Sequence, residues 1–375
     1  MVVTLGFAAV VSWGQGCAAG LGLPQPQWGL LMKAVKAFSM AVLLAATACG
    51  TVQSTDGGQV GPMGQPGPAG PVGPNGQPGT NGQPGTSLAD IGLPGASFYP
   101  ESIAAKSDGT LYIGSIGMGM VYVSTPGSAV PTVFVGAAAG LKNVNGLMVD
   151  EKANLLYLCA NDFFGGGAAT VRTYGLSDGS AKQTYTFTGS VACNDLVQDD
   201  SGNVYLADSI GKVHRLPMGG TAFAVWSSDT KLAPATAMGF GADGIVWDGQ
   251  SSLYVNNFEK GTLLRIPING DGSAGTVEQF TVTPALSSPD GMRLLNQNTL
   301  VVVENIPGTG RLTRLALNVA GKTAAGTVLS NRLDSPTSLV KVGMSYWVAE
   351  GQLDQLFGPM KPDLPFYVRR LPSFD

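Results

Sequence analysis

From about Ser87 onward, apolar residues come in short alternating runs, interrupted at close intervals by Gly, Asp, Asn and Ser. That pattern predicts short β-strands joined by tight turns. It also repeats. Six segments share one form: YPESIAAKSDGTLYIGS, NVNGLMVDEKANLLYLCAND, ACNDLVQDDSGNVYLADS, GADGIVWDGQSSLYVNNF, SPDGMRLLNQNTLVVVEN and SPTSLVKVGMSYWVAEG. In each, a polar residue opens an apolar strand, a turn follows, and a second strand begins. The opening residues are Glu101, Asn145, Asn194, Asp243, Asp290 and Thr337, spaced 44, 49, 49, 47 and 47 residues apart. An aromatic or branched residue follows at an offset of 11, 12, 11, 11, 11 and 10: Tyr112, Tyr157, Tyr205, Tyr254, Val301 and Trp347.

Third strands are visible in GKVHRLP (211–217), GTLLRIP (261–267) and GRLTRLA (310–316), where alternation puts Val213, Leu263 and Leu312 on one face. A more variable fourth strand, such as PTVFV (131–135), completes each unit. A repeat in the forties built of four short strands predicts an all-β chain, a six-bladed β-propeller over residues 88–375. No single repeat can bury both its faces, so the repeats must stack into a ring. Closure is expected to pair the segment after Ser87 with the last strands, including Phe366–Leu371.

The N-terminal part follows different rules. Residues 32–49 read MKAVKAFSMAVLLAATAC: Lys33 and Lys36, then an apolar stretch too short for a comfortable membrane span, then small residues and a cysteine. This is the grammar of a secretory signal and resembles a bacterial lipoprotein signal. The resemblance implies cleavage before Cys49, lipidation of its thiol, and a cell-envelope lipoprotein that faces the periplasm or the surface and meets the membrane through its anchor. Residues 1–31 hold no positive charge, and the true start is expected at Met32. Within the 50–87 segment, Gly occupies every third position from Gly58 to Gly85, ten in all, with Pro at many positions between. Only Gly fits the axis of a collagen triple helix. The tract therefore reads either as a homotrimerising collagen-like stalk or as a single-chain spacer of roughly 90 Å in polyproline II geometry.

Composition narrows the function. Charged residues make up 12% of the chain, the formal net charge is −4, and no basic run or basic–aromatic interleaving occurs, which argues against nucleic acid as a partner. The four cysteines form no C-x-x-C pair, so a thiolate zinc site is not expected. Cys159 and Cys193 read as two buried thiols or as a disulfide. The one histidine, His214, sits in a third strand and reads as a surface or inter-blade residue rather than a catalyst. The one G-x-S-x-G match, Gly175–Gly179, sits among turn residues with no helical pattern after it, so it does not read as the strand-to-helix elbow of a Ser-His-Asp triad.

The six opening residues are expected to converge where the innermost strands approach the propeller axis. Carboxylates gathered there repel each other unless a cation lies between them. Carboxylate and amide oxygens suit Ca²⁺ above all, with Mg²⁺, Mn²⁺ or Zn²⁺ as alternatives. The bland reading is that Asp and Asn merely cap turns at strand starts.

From about residue 90 to 371 the chain resembles the gluconolactonase/regucalcin (senescence marker protein) family of six-bladed propellers, which contains metal-dependent lactone hydrolases. YPES around Glu101 resembles that family's first-blade glutamate. CNDLVQD (193–199) resembles its N-D-G-x-x-D segment, GADGIVWD (241–248) falls at its N-G-L-x-W segment, and SPDGM (288–292) resembles its P-D-G motif. The resemblance implies Glu101, Asn194, Asp243 and Asp290 as metal ligands, Asp290 also as the catalytic base, and Asn145 as a substrate-binding residue. Two positions depart from the family pattern: Asp243 stands for an asparagine, and Ala192 for an arginine used on substrate. Two functions follow. One is a metal-dependent hydrolase of a lactone or related ester, exported to the cell envelope. The other is a surface-anchored, non-enzymatic binding module with a structural metal. Metabolic labelling with palmitate in a bacterial host should tag the full chain, and Cys49→Ser should abolish the label; an equally labelled variant defeats the anchor.

Overall fold

The computed structural model describes residues 89–373. The signal, Cys49 and the collagen-like tract lie outside them. The described chain is all-β. Its strands form four four-stranded sheets and one eight-stranded sheet, and the latter consists of two antiparallel four-stranded halves. The halves join edge to edge through a short parallel pairing of Thr281–Thr283 with Thr323–Ala325. Within every four-stranded unit the strands run antiparallel in sequence order, apart from the last unit described below.

The first strand of each unit is the one that carries the repeated polar residue: Pro100–Ala105, Asn143–Asp150, Cys193–Gln198, Ala242–Trp247, Pro289–Asn296 and Pro336–Val342. Each lies against the next, and the last lies against the first, so these strands close a ring around an axis. The apolar core is divided among the gaps between neighbouring sheets. Ala104, Tyr112 and Val121 of one unit, for example, pack on Val144, Leu147 and Leu158 of the next. Alternation along each strand supplies both faces, because every sheet has a neighbour on either side.

Closure follows the sequence expectation. Ile91–Leu93 pairs antiparallel with Phe366–Pro372 as the outer strand of the last unit, so chain start and chain end share one sheet. Ile91, Phe366 and Val368 are buried there with Trp347 and Ile103. Arg369 adds a polar clasp, bonding Asp90 on the incoming segment and Glu350 on the second strand. Cys159 and Cys193 are joined in a disulfide that links the second strand of one unit to the first strand of the next. His214 is not on the surface: it is buried in its third strand, 3.0 Å from Asp208.

Deleting residues 361–375 removes Phe366 and Val368 from the core and leaves the Ile91–Leu93 edge unpaired. At about 1.5–3 kcal/mol for each large buried side chain, the loss is a large fraction of a domain's stability. The truncated chain should melt at least 10 °C lower or fail to fold; an unchanged midpoint by calorimetry contradicts the closure.

Candidate functional site

Every first strand has the same irregularity. Its pairing with the second strand slips by one residue at the start: between Pro100 and Ser102, Val144 and Leu147, Cys193 and Leu196, Ala242 and Ile245, Pro289 and Met292, and Pro336 and Ser338. The repeated polar residue falls inside the slip in all six units. A β-bulge re-aims a side chain and ends regular pairing. Here the side chain is freed from the face that alternation would give it and lies at the strand mouth.

The residue after the polar one explains how closely the strands approach. A Cβ on Gly146 would lie 2.1 Å from the Asn194 carbonyl oxygen, one on Gly244 2.5 Å from that of Asp290, and one on Gly291 2.7 Å from that of Thr337. Only glycine permits backbone this near. Where a side chain occupies that position it bonds the neighbour: Ser102 Oγ donates to the Asn145 carbonyl, and the Asp195 carboxylate accepts from Ile245 N at 3.5 Å.

A second set of polar residues ends the second strands: Ser115, Asn161, Asp208, Asn257, Glu304 and Glu350, all buried. These tie down the segment that enters the first strand. Asp208 accepts from Ala192 N, Glu304 from Ser287 N and Glu350 from Asp334 N, and Asn257 donates to the carbonyls of Lys231, Leu232 and Ala233. Sequence reading did not single them out, although they recur 13 to 16 residues after the opening residue, the same kind of signal.

Five of the six opening residues fall into two hydrogen-bonded groups, Glu101 with Asn145 and Asn194 with Asp243 and Asp290, that interact through the repulsion of their carboxyls. Asn145 Nδ2 donates to Glu101 Oε1 at 3.2 Å. Asn161 Nδ2 donates to Asn145 Oδ1 at 2.7 Å. Asn194 Nδ2 donates to Asp243 Oδ2 at 3.1 Å and to Ser209 Oγ at 3.2 Å, so the amide oxygen of Asn194 is spent on neither contact. Asp290 stands within hydrogen-bonding reach of Asp243 and accepts from Asn305 Nδ2 at 3.0 Å and Gly291 N at 2.9 Å. Thr337 is the exception: its hydroxyl donates to the Pro100 carbonyl, where it pins strand to strand.

The charge in this network is unbalanced. Glu101, Asp243 and Asp290 are buried, with exposures of 6%, 3% and 6%. Burial, and then repulsion from Asp290, push the Glu101 and Asp243 carboxyls well above the ordinary range. Burial raises Asp290 to about 7, against the lowering effect of its bonds from Asn305 and Asp243. Asp243 and Asp290 thus form an interacting pair in which burial disfavours the ionisation of both together. Arg293 is the nearby cation, but its guanidinium is spent on Asp195 at 3.2 Å and on the Ile103 carbonyl at 3.3 Å. Asp195 and Arg293, one residue and three residues past predicted site positions, were not anticipated.

Asp243 Oδ1 is buried and receives no hydrogen bond. Two carboxylates within reach of each other need a proton or a cation between them. Among the described residues no three Asp, Glu, His or Cys side chains are gathered as a ready ligand cluster. A cation here would draw on amide and backbone oxygens as well, the mixture that Ca²⁺ accepts.

Beside the network lies a cavity of about 310 Å³. Asn161 and Ser209 belong to its wall and bond Asn145 and Asn194 on their other side. The rest of the lining comes from loops of three successive units, including the Gly-rich segment Phe163–Ala168.

The carboxylates give a pH signature. Asp290 titrates near 7 in the folded protein and near 3.9 when unfolded, so between those values the folded state holds the extra proton. Stability without a cation is therefore full below about pH 4 for this group and is lost as pH rises through 7. The chelator-treated protein should melt lower at pH 8 than at pH 5.5, and millimolar Ca²⁺ should remove the difference. A midpoint that rises with pH contradicts the arrangement.

No protein-family model matches the chain, and no curated protein is similar to it in sequence. Solved structures share its fold. A protein of unknown function from Bacteroides thetaiotaomicron superposes with a TM-score of 0.54 at 17% identity, over 76% of this chain and 72% of the other. A gluconolactonase from Xanthomonas campestris superposes with a TM-score of 0.52 at 16% identity, over 71% and 86%. At such identities the likeness concerns architecture, and that architecture is the β-propeller.

Proposed function

We propose that this chain is a six-bladed β-propeller that hydrolyses a lactone or related ester with the help of a divalent cation, and that its lipidated Cys49 and collagen-like tract hold it outside the cytoplasm. One observation carries the reading: the buried carboxyls of Asp243 and Asp290 lie within hydrogen-bonding reach of each other, and Glu101 is near enough for mutual repulsion with both. Carboxylates this close need a proton or a cation between them, and a cation would also engage the buried Asp243 oxygen that no N–H group reaches. The fold shared with a gluconolactonase supports the reading at the level of architecture only.

Glu101, Asn194, Asp243 and Asp290 would hold the cation, Ca²⁺ first. When bound, it polarises the scissile carbonyl and offsets the charge that develops on its oxygen. Asp290 is the general base. Its two oxygens are fixed by Asn305 and Gly291, so its carboxylate has a set orientation. It takes a proton from water as the water oxygen bonds to the carbonyl carbon. The acyl C–O bond then breaks, and the leaving alkoxide receives a proton back, with one water consumed per ester. The value near 7 belongs to the cation-free protein; a cation at the site lowers it, and the base is then ionised at neutral pH. Asn145, assigned to substrate, is held by Glu101 and Asn161 and keeps one N–H of its amide for such a contact.

The alternative, a binding module with a structural cation, draws on the deep burial of the same carboxylates. Lactone hydrolysis in the presence of Ca²⁺, Mn²⁺, Mg²⁺ or Zn²⁺ separates the two. Chelation should abolish turnover, and Asp290→Asn should lower kcat by at least 100-fold, the usual value of a general base, while the thermal midpoint still responds to Ca²⁺. Cation binding without turnover of any lactone or ester favours the binding module.

A further inference from the structure

The cavity beside the polar network has a composition that the hydrolytic reading does not require. Phe163, Phe187, Val191, Ile210, Met238 and Phe240 face it, and Ala192 adds a methyl. Its polar side chains are largely turned away from a ligand. Asn161 gives its amide hydrogens to Asn145 and to the Cys193 carbonyl, and its oxygen accepts from Cys193 N. Ser209 accepts from Asn194. The Asp162 carboxylate accepts from Gly165 N and Gly167 N, which folds the Gly-rich loop back over the cavity. Ser190 is the other polar side chain on the wall. The loop has a further brace on its outer side, where Phe164 stacks 6.1 Å from Phe357 of the short helix Leu353–Phe357. The wall is therefore built by bonds within the protein rather than left open by a loose segment.

A polyhydroxylated ligand needs a donor or acceptor for each hydroxyl that it buries, and an unmatched one costs on the order of 1–3 kcal/mol. The side chains of this wall offer few, which leaves main-chain groups of its glycines as the partners for hydroxyls. An apolar chain needs only shape and removal from water. At about 310 Å³ the cavity sits at the lower end of the ~300–1,000 Å³ range of small-molecule sites.

We infer that this cavity is a chain pocket, and that the substrate is a lactone or ester with an unbranched apolar tail rather than a sugar lactone. The scissile carbonyl lies over the polar network, and the tail passes Asn161 and Ser209 into the space between Phe163, Phe187 and Phe240. This assignment rests on the hydrolytic reading, but the pocket itself does not.

Two series test it. In the first, kcat/KM is measured with Ca²⁺ for γ-lactones with alkyl tails of increasing length, and for gluconolactone. Each methylene that enters the pocket should raise kcat/KM by about fourfold until the cavity is full, and gluconolactone should be the poorer substrate. Ala192→Leu, which fills part of the space, should lower the long-to-short ratio at least tenfold. In the second, 2-alkylcyclopentanones, which keep the carbonyl but cannot be hydrolysed, are titrated calorimetrically. Their affinity should rise with tail length in wild type and lose that dependence in Ala192→Leu. Tail-dependent ketone binding without lactone turnover retains the pocket and removes the hydrolase. Lactone turnover that ignores tail length, or that favours gluconolactone, overturns the pocket.

Discussion

The close approach of six strand starts around one axis is the constraint on which the rest of the molecule depends. Backbones there come so near that a methyl group on Gly146, Gly244 or Gly291 would collide with the next strand. Regular pairing cannot continue through such a crowd, and each first strand bulges at that point. The bulge turns the neighbouring polar side chain out of the sheet. Crowding, irregularity and chemistry are thus one event repeated around the ring.

The same crowding sets the electrostatics. Burial raises the carboxyls of Glu101, Asp243 and Asp290, and repulsion from Asp290 adds to it at the first two. Isolated, such an arrangement is destabilising. It is tolerated because amides and backbone N–H groups surround it, and because Arg293 and Asp195 neutralise one another nearby. The second polar set, from Ser115 to Glu350, is oriented the other way: its members hold the entering segments and contribute rigidity rather than reactive groups. Rigid walls on three successive units then frame the cavity with its aromatic side chains.

Much of this could be read along the chain. The six polar residues and the constant offset to the second strand announce repeated β units, and the pairing of Ile91–Leu93 with Phe366–Pro372 matches the expected closure. Five of the six marked residues do come together, in two hydrogen-bonded groups whose carboxyls feel each other's charge. The polar residues at the second-strand ends were equally periodic, yet Asn, Asp and Glu after an apolar run resemble an ordinary strand end, and nothing local shows that they are buried. Thr337 matched the period but not the role, because a hydroxyl can reach only the adjacent carbonyl. Cys159 and Cys193 left two readings open, and their pairing depends on two strands from different units lying side by side.

The sequence by itself determined the strands, the repeat and which residues would stand at each strand mouth, since alternation and turn chemistry act over a few neighbours. The tertiary structure alone decided which carboxyls face one another, where Arg293 spends its charge, and that loops from three units frame one cavity. Those outcomes depend on distances between segments tens to hundreds of residues apart, and no local pattern encodes them.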